Sequence, residues 1–295
     1  MNLLQEVHRC KDAKETLITE EYTMGLRINT NIAALNATRT LRKNTLDLNK
    51  SLERLSSGLR INRAADDAAG LAIAEGFRSV VCGARVAVRN VQDGISLIQT
   101  AEGALVESSN ILQRIRELAV QSANGTNSTQ NRAALDAEVT QLLQQLDSIA
   151  RDTEFNGFYV LSVTQSIVIQ AGPQMGQTLT ITIQGSKTSD LGVSGISIST
   201  QGGAVSTLSI VDNAIKSINI LRSNLGAFQN RLEFTINTLE IQEENASYSE
   251  SQIRDADIAQ ETVRFTRNQI LVSAGTSVLA QANVIPQTAL QLLRG

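Results

Sequence analysis

One run of residues limits this chain more than any other. Val91, Ile98, Leu105, Leu112 and Ala119 recur at every seventh position. Seven residues make two turns of a slightly underwound helix, so the run keeps one apolar seam aimed at one partner along its length. It predicts a long helix packed against other helices. Of the chain's two prolines, Pro173 and Pro286, neither falls in this run, and proline is the residue that most reliably breaks a helix interior. Large rings usually carry much of a core's buried area. Here aromatics are 3% of 295 residues and tryptophan is absent, so Leu, Ile, Val and Ala must fill the core, as suits helix on helix.

Other segments extend the pattern. Leu41, Leu48, Leu52, Leu55 and Leu59 form a seam with spacings of seven, four, three and four, prolonged upstream by Ile28, Ile32 and Leu35. Ser56-Ser57-Gly58 lowers helix propensity and predicts a break there. Ile111, Ile115 and Leu118 widen the main stripe before Asn124-Gly125, two residues that tolerate the left-handed end of a helix. Leu135, Val139, Leu142, Leu146 and Ile149 predict a third amphipathic helix. After Phe155-Asn156-Gly157 the period becomes two. Thr178–Ile183 alternates polar and apolar, Ser166–Ile169 is its expected partner, and Ala171–Gly176 reads as the turn of a β-hairpin. Ile196 and Ile198 predict one more short strand, and Gly202-Gly203 closes the insert. Helix resumes with Val211, Ile215, Ile218, Leu221, Leu225, Phe228, Leu232 and Leu239. A last run from about Gln252 carries Ile253, Val263, Ile270, Ala274, Val278 and Ala282, and Pro286 is expected to interrupt it.

Several function classes find no support. The net charge of −3 offers no basic surplus for nucleic acid or an anionic membrane. No apolar run approaches the roughly 20 residues of a membrane span. The opening segment is charged throughout and does not read as a secretory signal. Cys10 and Cys82 give neither metal spacing nor a disulfide framework, and the single histidine, His8, stands apart from any catalytic motif. Asp66 and Asp67 are adjacent, so on a helix they point in different directions. They read as solvated or arginine-paired rather than as an acid–base dyad. No cofactor is implied, and the chain reads as a non-enzyme.

The first and last helical runs have seams too slim to be buried by one hairpin. Their polar faces are rich in Asn, Gln, Ser and Thr rather than charge, and such faces pack against copies of themselves with little desolvation of ions. Periodicity alone leaves two architectures open: a monomeric helical bundle, or a subunit whose terminal helices are covered by other copies.

Longer words decide between them. Asn29-Thr30-Asn31, LNKSLERLSSGLRINRAADDAAGLAIAEGFRS from Leu48 to Ser79, Asp93-Gly94-Ile95-Ser96, QTAEGAL from Gln99, and ILQRIRELAVQSANGTNS from Ile111 resemble the N-terminal signature of bacterial flagellins. ESQIRDADIAQE from Glu250 and AGTSVLAQAN from Ala274 resemble their C-terminal signature. The resemblance runs from Met24 to the C-terminus and is thinnest between about Leu161 and Leu208. It implies a mainly α fold: long N- and C-terminal helices paired as a coiled coil, and an elongated helical bundle with a small β-hairpin insert. The implied division is 24–68 with 254–295 for the terminal coiled coil lining a filament channel, 69–154 with 205–253 for the bundle, and 155–204 for the insert. The short middle implies a minimal subunit without large outer domains.

The resemblance also implies function and partners. The chain would be a secreted subunit of the flagellar filament, exported by the flagellar type III apparatus with information soon after Met24. Its partners would be itself, an export chaperone, the cap protein, hook-associated proteins and the host Toll-like receptor for flagellin. Leu41, Leu48, Leu52, Leu55, Ile270, Ala274 and Val278 would form the self-assembly seam. Arg114, Leu118 and Glu138 match the positions the receptor reads, and the hairpin around Gly172–Gly176 would take part in switching between filament packings. A hook-associated junction protein is the nearest rival, but such proteins tend to carry a proline after the Asp pair, whereas Asp66-Asp67-Ala68-Ala69-Gly70 follows the flagellin form. Residues 1–23 are extra relative to the family and are expected to reflect an upstream start. Cys82 and the stretch Arg89–Gln92 also depart from the usual pattern.

Overall fold

The structure is a computed structural model that describes residues 30–292. The extension 1–23, Met24 and the export segment after it, His8, Cys10 and Ile28 lie outside the described residues. Among the described residues, five helices and two small hairpins follow one another: α1 (Ile32–Ser57), α2 (Ala68–Ala123), α3 (Thr129–Asp152), β1 (Glu154–Phe155), β2 (Phe158–Tyr159), β3 (Gln165–Gln170), β4 (Thr178–Ile183), α4 (Gln201–Arg254) and α5 (Ile258–Leu292). Two compact units result. One holds the described residues up to Ala68 together with those from Arg254 onward; the other is Ala69–Ile253.

The larger unit is built on the seven-residue rhythm. Val91, Ile98, Leu105, Leu112 and Ala119 are all fully buried on α2. On α4 the buried stripe is Ala204, Val211, Ile218, Leu225, Leu232, Leu239 and Ala246, again one residue in seven. Val139, Leu146 and Ala150 of α3 complete a three-helix core. Each fully buried Leu or Ile contributes about 1.5–3 kcal/mol. α2 stops where Asn124-Gly125 begins, and Ser128 starts α3 by accepting the Asn131 N–H on its side chain.

The hairpin β3–β4 is antiparallel, with Ile167 opposite Ile181 and Ile169 opposite Leu179. Its inner residues Ile169, Leu179, Ile181 and Ile183 join the helical core. Two glycines of α2, eleven residues apart and hence on one face, let it approach. A Cβ on Gly83 would stand 2.7 Å from the Cβ of Pro173, and one on Gly94 would collide with the Ile169 side chain.

Several expectations are corrected. Ile196 and Ile198 form no strand among the described residues. Ile198 is buried, but its N–H donates to Asp136 Oδ1 (2.6 Å) and its carbonyl accepts from Ser122 Oγ (2.5 Å). Helix side chains thus do what a neighbouring strand would otherwise do. Gly202-Gly203 does not separate insert from helix. Both lie in the first turn of α4, where Thr200 Oγ1 accepts the Gly203 N–H (3.1 Å) as a cap. A second hairpin, β1–β2, turns on Asn156 and Gly157, both at positive φ. Asn-Gly is the strongest short hairpin signal, and it marks more than a change of period. The final helix begins later than Gln252: α4 runs to Arg254, and α5 starts after Asp257, whose carboxylate accepts the Ala259 and Gln260 N–H groups. Pro286 does not interrupt α5, which continues to Leu292. Proline cannot donate to the carbonyl four residues back, here that of Ala282, and Asn31 Nδ2 takes that carbonyl instead at 2.7 Å.

Candidate functional site

The smaller unit is an antiparallel pair, α1 against α5. α1 begins at Asn31, whose Oδ1 accepts the Ala34 N–H, and ends at Gly58, left-handed at φ 72°, whose N–H donates to Arg54 O. The expected break at Ser56-Ser57-Gly58 is therefore present. Three contacts set the register: Asn31 to Ala282, Leu41 to Gly275, and Arg54 to Glu261. A Cβ on Gly275 would lie 3.2 Å from Leu41 Cδ1, so glycine lets the helices close there.

The faces turned inward alternate three and four. On α1 they are Ala34, Ala37, Leu41, Asn44, Leu48, Ser51 and Leu55; on α5 they are Glu261, Phe265, Asn268, Val272, Gly275, Leu279 and Ala282. Small and polar residues occupy eight of these fourteen positions. Glu261 is 4% exposed and lies 3.7 Å from an Arg54 nitrogen and 3.4 Å from one of Arg264. It sits in the first turn of α5, where the helix dipole favours a carboxylate.

The seven seam residues expected from sequence therefore divide. Leu41, Leu48 and Leu55 are half-buried on the inner face of α1. Leu52, Ile270, Ala274 and Val278 are exposed, with Leu52 at 56% and Ile270 at 63%. These four lie off the face that α1 and α5 share with each other. Leu52 is one position past the buried Ser51, about 100° further round the helix. Ile270, Ala274 and Val278, with Val263, make a second stripe of α5 facing away from α1. Ile32, Leu35 and Leu46 do the same on α1, and all three are exposed. Sequence reasoning misses the inner face of α5 because Glu261, Asn268 and Gly275 are not apolar. Their three-and-four spacing is the available signal.

Between α1 and α2, Asp66 is tied back to α1. Its carboxylate lies 2.6 Å from Lys50 Nζ and accepts the Asn62 and Arg63 N–H groups. Lys50, more than those backbone donors and against the opposing effect of burial, holds the carboxyl down at about 2. Its partner is thus a lysine, not the arginine or open solvent expected.

In the larger unit, Arg114 of α2 reaches α3. Its Nη2 and Nε donate to Glu138 Oε1 at 3.0 and 3.2 Å, and Nη1 donates to Glu117. The Glu138 carboxylate, then that of Glu117, raises the guanidinium above its ordinary value. Both Arg114 and Glu138 are exposed. Leu118 is not: at 1% exposure it faces the core. The spacing does place it one turn after Arg114, but the stripe it widens is the buried one, so it offers no surface to a receptor.

Comparison with known proteins decides the family. The bacterial flagellin N-terminal helical region matches residues 28–166, and the bacterial flagellin C-terminal helical region matches 208–293. A flagellin of Halalkalibacterium halodurans is 47% identical over 270 residues, covering 90% of this chain and 99% of that protein. The chain belongs to the bacterial flagellin family. A flagellar filament 33 kDa core protein of Treponema phagedenis is 44% identical over 284 residues, with the same coverage of each. The crystal structure of Bacillus cereus flagellin shares 36% identity, covers 51% of this chain and 88% of that one, and has a TM-score of 0.46. Flagellins are the structural subunits of the extracellular flagellar filament, and this chain is such a subunit of bacterial motility. Nothing in these likenesses favours a hook-associated junction protein over a filament subunit.

Proposed function

We propose that this flagellin polymerises through the outward faces of its terminal helix pair, which would form the layer around the filament channel. One observation carries the reading: exposed apolar residues line the side of each helix opposite the shared seam, Ile32, Leu35 and Leu46 on α1 and Val263, Ile270 and Val278 on α5. Burying them on neighbouring copies is favourable, and a head-to-tail contact that does not close grows an open helix. Ile270→Ser with Val278→Ser should leave the monomer's melt unchanged and stop filament growth, read by electron microscopy. Normal filaments from that variant would refute the reading. The chain acts here as a structural element rather than a catalyst. It would leave the cell through the flagellar type III apparatus, attended by a chaperone, the cap and hook-associated proteins. The hairpin turn around Gly172–Gly176 would take part in switching between filament packings.

The exposed Arg114–Glu138 pair favours one more partner, the host Toll-like receptor for flagellin. A receptor would take over one side of a pair already oriented for it. Arg114→Ala should lower monomer potency on receptor-bearing cells roughly thirty-fold, equivalent to about 2 kcal/mol; unchanged potency would remove the assignment.

A further inference from the structure

Asn-Gly occurs twice in the chain, at Asn124-Gly125 and Asn156-Gly157. The backbone nitrogen after an asparagine can reach the side-chain carbonyl carbon, and glycine has no Cβ to crowd that nitrogen. All four residues are exposed, so sequence and solvent access rank the two sites alike. Their surroundings do not. Asn124 is held on three sides. Its Oδ1 accepts the Thr126 N–H (3.4 Å), its own N–H donates to the Gln121 carbonyl (3.3 Å), and its carbonyl accepts from Arg132 Nη2 (2.9 Å) and from the Asn127 N–H (3.3 Å).

Asn156 stands in contrast: among the described residues no hydrogen bond holds its side chain. It sits at φ 50°, which costs asparagine less than most residues but more than glycine, so opening of the turn relieves it. The hairpin it turns has only two residue pairs, and Phe158 and Tyr159 beside it are 61% and 53% exposed. A segment with so few buried contacts opens locally at little cost. Opening stops at Val160, which is fully buried and donates its N–H to the Thr153 carbonyl (3.0 Å).

We propose that Asn156 is a site of spontaneous deamidation, and that the fold directs the reaction there rather than to Asn124. The Gly157 nitrogen bonds to Asn156 Cγ and gives up its proton. The bond from Cγ to the side-chain nitrogen breaks, and that nitrogen takes a proton and leaves as ammonia. Water then opens the five-membered imide at either carbonyl. One product is aspartate. The other is isoaspartate, whose main chain is longer by one methylene and cannot keep the two-residue turn that sets Phe155 opposite Phe158. Either product adds a negative charge to a chain of net charge −3, two residues from Glu154. Val160 and Leu161 stay in the core, so the larger unit keeps its fold and altered chains accumulate as the protein ages outside the cell.

The test is to incubate the full chain in mildly alkaline buffer and map its peptides by mass spectrometry. Aspartate and isoaspartate should form about ten-fold faster at position 156 than at position 124, equivalent to about 1.4 kcal/mol of barrier. In guanidinium, where neither site is held, the two rates should converge. Asn156→Gln, whose longer side chain cannot close a five-membered ring, should remove most of the acidic species that isoelectric focusing resolves in the aged parent. If that variant fails to fold, the peptide map of the parent decides alone. A folded chain in which Asn124 converts as fast as Asn156 would overturn the proposal. So would one in which Asn156 stays intact although it converts in guanidinium.

Discussion

The two units bury opposite kinds of surface. In Ala69–Ile253, the positions that repeat every seven residues on α2 and α4 are filled by Leu, Ile, Val and Ala, and they face inward with nearly no exposure. In the α1–α5 pair the inward face is more than half small or polar, with Asn, Ser, Gly and Glu among its residues, and strongly apolar residues such as Leu35, Leu46 and Ile270 face out. A side chain buried inside its own chain stabilises the monomer. One left outside stabilises only what comes to cover it. On the assembly proposed above, the larger unit would fold alone and the smaller one would be completed by neighbours.

Removing residues 262–295 tests this most severely. The shortened chain should keep a cooperative melt from the larger unit and lose polymerisation altogether, with only monomer in sedimentation and no filaments by microscopy. If the remaining chain loses its cooperative melt, the larger unit does not stand alone and the contrast fails.

The contrast also explains what is legible in the sequence. Along the buried stripes of the larger unit hydrophobicity and burial coincide, so Val91 through Ala119 and Leu135 through Ile149 can be read directly, as can the hairpin of β3 and β4. In the smaller unit hydrophobicity points the wrong way round the helix. Ile270, Ala274 and Val278 look like the seam, while residues that form it, Asn268, Gly275 and Glu261, look like surface. Ile198 reads as a strand because it is apolar. What holds it is a pair of hydrogen bonds to the side chains of Asp136 and Ser122, partners 62 and 76 residues away, which no local period can reveal. Spacing puts Leu118 one turn after Arg114, but its place in the apolar stripe with Ile111 and Ile115, not that spacing, is what says it faces the core.

A smaller effect sharpens the comparison. Leu105→Ala in α2 removes a fully buried side chain and should cost about 3 kcal/mol, lowering the monomer's denaturant midpoint at constant slope. Leu48→Ala in α1 removes a half-buried one and should cost the monomer about 1 kcal/mol or less. It should instead weaken the filament, read as a raised critical concentration. Equal losses in the two monomers would erase the distinction.

Smaller still is the acid response of the smaller unit. Asp66 titrates at about 2 in the folded chain, below the roughly 3.9 of an unfolded aspartate. A carboxylate depressed by folding adds stability that is complete above the unfolded value and is lost as pH falls from about 4 to about 2. Lys50 is 46% exposed, so screening reduces the effect to about 1 kcal/mol. Asp66→Asn filaments should depolymerise at lower temperature than the parent at about pH 5, and the gap should close near pH 2. A gap that is the same at both values would show that the Lys50 pair contributes nothing.

The finest test concerns the far end of the same pair. Asn31 caps α1 through Oδ1 and, through Nδ2, donates to the Ala282 carbonyl, whose usual donor four residues on is replaced by Pro286. Asn31→Ala should cost about 1 kcal/mol from the lost cap, plus the penalty of a carbonyl left unpaired. Pro286→Ala restores a backbone N–H four residues after Ala282, so the carbonyl has a second source of hydrogen bonding. In that background Asn31→Ala should cost less, by about 0.5–1 kcal/mol. Thermal depolymerisation of filaments from the two single variants and the double variant measures the coupling. A nonzero value means that proline and asparagine act as one device, which closes α1 onto α5 at this end of the pair. Strict additivity would reduce Asn31 to an ordinary helix cap and leave the register to Leu41 against Gly275 and Arg54 against Glu261.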